Sequence, residues 1–96
     1  MTNIYFIENA TGDIKIGRSE DVLARIKQLQ TGNSSNLKLR FTINNVKETF
    51  EDHIHEICNA YHRQGEWFNS KVIDHLQKHP TFKELMIPVR HKKTLS

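Results

Sequence analysis

The stretch "NIYFIENATGDIKIG", Asn3 to Gly17, constrains the fold more than any other part of the chain. Two apolar runs flank Asn9-Ala10-Thr11-Gly12-Asp13, a cluster rich in turn formers, and that pattern predicts a β-hairpin. In its second arm Ile14 and Ile16 share one face, while Lys15 points to the other.

The rest of the chain follows by periodicity. Ser19 offers an N-cap, with Glu20 and Asp21 in the first turn, where the helix dipole favours anions. Val22, Leu23, Ile26 and Leu29 then recur at helical spacing and Gly32 supplies a stop, which predicts a helix over about 20–31. "LKLRFTI" alternates, with Leu37, Leu39, Phe41 and Ile43 on one face and Lys38, Arg40 and Thr42 on the other. It reads as a third, half-buried strand that Asn44-Asn45 breaks. Phe50, Ile54, Ile57, Cys58 and Tyr61 mark a second amphipathic helix over about 47–62. "RQGEWF" ends it at Gly65 and returns Trp67 and Phe68 to the core. Asn69 or Ser70 caps a third helix bearing Val72, Ile73 and Leu76, and Thr81 opens a short further turn after Pro80. The predicted order is β-β-α-β-α-α, an α+β arrangement in which a small three-stranded antiparallel sheet is flanked by helices. A single domain over 1–88 and a basic tail over 89–96, with its cluster at Arg90 to Lys93, complete the expected organisation.

Composition narrows the function classes. A chain of 96 residues, 36% hydrophobic and 26% charged, belongs with small soluble globular domains. Its net charge of +3 permits a polyanion partner without demanding one. Cys58 is the only cysteine, which excludes an intrachain disulfide and a cysteine-rich zinc module and fits a reducing compartment. No run approaches the roughly 20 apolar residues of a membrane span, so the cytoplasm is the expected location and no membrane partner is expected.

Four features exceed what folding alone asks for. Hairpin pairing can bring Tyr5 near Lys15; Arg25 sits on the first helix beside Ile26; Glu51 and His55 are i, i+4 on the second helix; and "GEWF" sets Glu66 between a glycine and two aromatics. Each has an ordinary reading. Tyr5 can fill a half-buried strand position, Lys15 and Arg25 can be solvated charges, and Glu51 with His55 can form a surface pair worth roughly 0.2–0.5 kcal/mol. Trp67 and Phe68 read as core. Glu51, His55, Cys58 and His62 fall at i, i+4, i+7 and i+11, yet ligands spread over about 16 Å of helix cannot converge on one zinc ion with bonds near 2 Å. No nucleophile signature surrounds Cys58.

Taken in order, "IYFI" at 4–7, "IKIG" at 14–17, "RIKQLQTGN" at 25–33, "EDHIH" at 51–55 and "GEWF" at 65–68 resemble the GIY-YIG endonuclease superfamily. More narrowly they resemble a small phage and bacterial branch, also found in a fungal meiotically up-regulated protein, with KIG, LQTGN, ExxxH and GEWF motifs. The resemblance covers about residues 3–69. Lys15 stands where the parent pattern has a tyrosine, in agreement with the branch, and Asn3 replaces the first motif's glycine.

The resemblance implies a divalent-metal-dependent DNA endonuclease, a phosphodiester hydrolase related to phage or other mobile elements, using Mg2+ or Mn2+. By that analogy Glu51 binds the metal, Tyr5 deprotonates or orients the attacking water, Arg25 holds the scissile phosphate, Lys15 neutralises developing charge, and His55 assists proton transfer or orients Glu51. Asn69 is the counterpart of a late family asparagine, whereas Glu66 is read as a structural residue of its turn. Arg18, Lys27, Lys38 and Arg40 are the expected DNA contacts, and specificity would come from loops, from a homodimer or from a protein partner. The rival expectation is a catalytically inactive nucleic-acid or protein binding module on the same scaffold.

Overall fold

The hairpin forms where its turn residues place it. In a computed structural model, which describes residues 1–90 of the chain, β1 (Thr2–Glu8) and β2 (Ile14–Ser19) pair antiparallel with Tyr5 opposite Gly17 and Ile7 opposite Lys15. The turn is organised by Asn9, whose Oδ1 accepts from the backbone N–H of Thr11 at 3.1 Å and of Asp13 at 2.9 Å. Gly12 takes φ +89°, a left-handed conformation that disfavours other residues.

After the hairpin come α1 (Val22–Thr31), β3 (Lys38–Val46), α2 (Phe50–Ile57), a 3-10 turn at Asn59–Tyr61, β4 (His62–Gln64), β5 (Trp67–Phe68), α3 (Lys71–Gln77), α4 (Pro80–Leu85) and β6 (Ile87–Pro88). The α+β class holds, but the sheet has six strands in the order β4-β5-β2-β1-β3-β6 rather than three. Two strands enter between α2 and α3 and one follows α4, so the element order differs from expectation as well. The reason is length. β4, β5 and β6 have three, two and two residues, too short to show alternation; β5 and β6 form by adding to the edges of β2 and β3, and β4 then pairs with β5.

Local details shift in the same spirit. Asp21, rather than Ser19, caps α1, its carboxylate accepting from Ala24 N–H at 3.1 Å, while Ser19 braces Asp21 through its hydroxyl. The second helix stops at Ile57 and continues only as the 3-10 turn. Asn44 and Asn45 do not end β3: Asn45 adopts φ +61° in a bulge and the strand runs on to Val46.

A second bulge changes which residues share a face. Phe6 pairs with Phe41 and Ile7 with Leu39, so Arg40 is an extra residue on β3. Leu37 and Leu39 therefore join Tyr5, Ile7, Val22, Ile26 and Leu29 under α1, and Phe41 and Ile43 face the opposite core. The expected single face of Leu37, Leu39, Phe41 and Ile43 is thus divided. The larger core joins Ile4, Phe6, Ile14, Ile16 and Phe68 of the sheet to Ile54, Cys58, Val72, Leu76 and Phe82 of the helical layer. Burial pushes the Cys58 thiol up to about 12, which keeps it protonated as an apolar core residue. Val89 N–H donates to Arg40 C=O at 3.0 Å, and the rest of the expected basic tail, 91–96, lies outside the described residues.

Candidate active site

The site lies where β2 loses its outer neighbour. β5 pairs with Ile14 and Lys15, and Ile16 N–H adds one bond to Glu66 C=O at 3.0 Å; beyond that point Gly17 to Ser19 form an open edge. Side chains from both sheet faces reach this notch.

From the large-core side, α2 brings Glu51 and His55. His55 Nε2 lies 2.8 Å from Ile16 C=O, which can only accept, so Nε2 carries a proton and donates it there. The ring packs edge-on against Phe68, with centroids 4.9 Å apart, which fixes its orientation. Glu51 is nearly buried; its carboxylate meets Arg18 Nε at 3.2 Å and His55 Nε2 at 3.5 Å.

From the α1 side come Tyr5, Lys15 and Arg25. Tyr5 is 1% exposed and its ring lies across Gly17: a methyl group there would overlap the phenol hydroxyl and sit 2.9 Å from Cε1. Gly17 is therefore required by close approach, and its missing side chain lets the phenol lie over β2. Arg25 lies near enough to the Tyr5 phenol to favour its ionised form, and its guanidinium reaches Gln28 Oε1 at 3.2 Å. Lys15 Nζ lies 3.2 Å from Glu66 Oε1 and 5.6 Å from the centre of the Trp67 ring.

Glu66 is the residue that the sequence reading undervalued. Its carboxylate is paired with Lys15 and its charge acts on Glu51, so it belongs to the cluster and is more than a turn residue. Burial, and then the negative charge of Glu66, push the Glu51 carboxyl above the usual range, with His55 and Arg18 opposing. Burial also raises the Tyr5 phenol; Arg25 opposes it, and Glu66 and Glu51 add to the rise. Two adjacent carboxylates ringed by Lys15, Arg18 and Arg25 make a charge arrangement suited to a cation and a phosphate together.

The other expected residues are placed apart from this cluster or without contact to it. Arg40 is held by Glu8 at 2.7 Å on the far side of β1. Lys38 is exposed at the start of β3, and Lys27 is exposed on α1 with its carbonyl accepting from Thr31. Asn69 serves the α3 entry, its Oδ1 accepting from Lys71 N–H at 2.9 Å. Among the described residues no group of three or more His, Cys, Asp or Glu converges as a metal site. The pair Glu51 and Glu66 offers hard oxygen donors, so water and substrate phosphate would complete the shell of a divalent ion. No helix among the described residues is long and apolar enough to cross a membrane.

The T5orf172 domain model matches residues 2–82, so the chain belongs to that family, a nuclease-like domain found in phage proteins. Neither a curated protein nor a solved structure matches the chain.

Proposed function

We propose that this T5orf172 domain is a divalent-metal-dependent DNA endonuclease of the GIY-YIG type. The observation that carries the reading is the convergence of Tyr5, Lys15, Arg18, Glu51, His55 and Glu66 on one notch of the sheet, with Arg25 beside Tyr5.

Glu51 and Glu66 would hold Mg2+ or Mn2+, which supplies Lewis-acid neutralisation of the phosphate's charge. The donor set fits, because a cation offsets the burial and, after it, the Glu66 repulsion that raise the Glu51 carboxyl. Arg25 binds the scissile phosphate and steadies Tyr5. The phenol, protonated because burial raises it, orients the attacking water by hydrogen bonding. Lys15 offsets charge that develops on the phosphate, and Arg18 alternates between Glu51 and the DNA backbone. His55, fixed on Ile16 C=O, positions Glu51. Lys27, Lys38 and Arg40 add phosphate attraction, Arg40 once it leaves Glu8.

Nicking of supercoiled plasmid and of labelled single-stranded DNA, with magnesium, manganese or EDTA, tests the reading. Metal-dependent cleavage by the wild type is expected, with Glu51→Gln slower by at least about a hundredfold and DNA binding nearly unchanged. Equal cleavage by both proteins would remove Glu51 from the mechanism. Salt-sensitive binding with no cleavage by either would leave the binding module as the function.

A further inference from the structure

Beside the notch, a cavity of about 450 Å³ is lined by Asn9, Asp13, Asn33, Arg63, Gln64 and Trp67. We infer that it receives an unpaired nucleobase, stacked on Trp67 and held by the amides of Asn9, Asn33 and Gln64, so that the DNA is single-stranded or locally unpaired beside the cleaved phosphate. The inference rests on the nuclease reading for its substrate and names the form that the substrate takes.

The lining residues have the chemistry of a base subsite. Asn9 Oδ1 is occupied by the hairpin turn, and Asn33 Oδ1 accepts from Ser35 N–H at 2.9 Å. Those bonds fix both amides with their oxygens engaged, and leave two NH2 groups as donors for the keto oxygens and ring nitrogens of a base. Gln64 is exposed on the lining, and its side-chain amide can donate or accept. Asp13 is tied to Arg63 at 3.4 Å, which lowers its repulsion toward a polyanion; the half-exposed Arg63 stands at the rim. The Trp67 ring supplies a face for stacking, which any base can use.

Position supports the same occupant. Trp67 pairs with Lys15 across the strands, and the Lys15 ammonium that touches Glu66 also lies over the Trp67 ring. A phosphate at the notch and its neighbouring base on Trp67 are therefore joined through one side chain. Walls from the hairpin turn, the loop after α1 and β4 enclose the space, and a base already paired in a duplex has its polar edge engaged by its partner strand.

Trp67 is the only tryptophan, so its fluorescence reports on the pocket directly. Wild-type protein in EDTA would be titrated with a single-stranded oligonucleotide of about 12 residues, with its duplex, and with the same strand carrying abasic central positions. Saturable quenching by the single strand is expected, with at least about fivefold weaker binding and little quenching from the other two. Gln64→Ala, at an exposed position, should weaken the single strand about fivefold and leave the abasic strand unchanged. Equal quenching by the abasic strand, or preference for duplex, overturns the subsite. Base-dependent quenching by a protein that cleaves nothing upholds the subsite while the nuclease reading falls; cleavage without base-dependent quenching does the reverse.

Discussion

The two faces of the sheet are built to different standards. One is sealed by α2, α3 and α4, with Ile4, Phe6, Ile14, Ile16, Ile54, Phe68, Val72, Leu76 and Phe82 almost wholly withdrawn from solvent. The other is covered by α1, which buries none of its own residues fully and leaves Leu23 71% exposed. Stability is concentrated under the first face, while the helix that carries Arg25 is held by the partial burial of Val22, Ile26 and Leu29. Elements with few buried contacts open at lower free energy, so α1 can adjust its arginine to a phosphate while α2 holds Glu51 still. The charged notch sits on the boundary between the rigid face and the loose one.

The largest test of this contrast is a pair of truncations. Phe6→Ala should cost about 3–5 kcal/mol, a large part of the roughly 5–15 kcal/mol typical of a domain. Ile26→Ala, at a half-buried site, should cost about 1–2 kcal/mol. Equilibrium urea unfolding measures both, and equal losses would break the comparison. Amide exchange sharpens it: α1 protons are expected to exchange before those of α2.

A smaller effect is expected at Gly17, where the faces meet. Gly17→Ala forces Tyr5 aside and should cost about 1–3 kcal/mol, together with most of the cleavage activity. The three nearest atoms to that methyl all belong to Tyr5, so the stability cost of Gly17→Ala should shrink when Tyr5→Ala is also present. An unchanged cost in the double variant would mean that the backbone, not the phenol, demands glycine.

Much of this organisation is legible in the sequence, for identifiable reasons. The hairpin, the apolar stripes of α1 and α2 and the core role of Cys58 come from periodicities that burial imposes directly. The bulge at Arg40 is different: an inserted residue leaves "LKLRFTI" alternating in the sequence while switching Leu39 to the other face. Strands of two or three residues leave no period at all, since tertiary pairing creates them. Tyr5, Lys15, Glu51 and His55 stood out because each is polar at a position near an apolar face. Glu66 stood out too but was read as a turn residue, because only the pairing of β5 with β2 carries it toward Glu51, fifteen residues before it in the chain.

The smallest expected effect separates the faces by pH. Burial, then repulsion from Glu66, raises the Glu51 carboxyl in the folded protein, so folding favours its protonated form. The stabilising contribution of that proton is fully present below the unfolded value, about pH 4.3, and is lost as pH rises through the folded value. Glu51→Gln is neutral throughout, so its thermal midpoint should exceed that of the wild type at neutral pH, and the gap should close toward about pH 4. Glu66→Gln removes the second cause and should shrink the gap without abolishing it, because burial, the first cause, remains. Ile54→Val, inside the sealed face, should lower the midpoint by the same amount at every pH. If Glu51→Gln is instead less stable than the wild type at neutral pH, then the pairs with Arg18 and His55 outweigh burial and repulsion. The notch would in that case be a stabilising part of the fold, and the contrast between a face that holds the protein together and a site that strains it would fail at its centre.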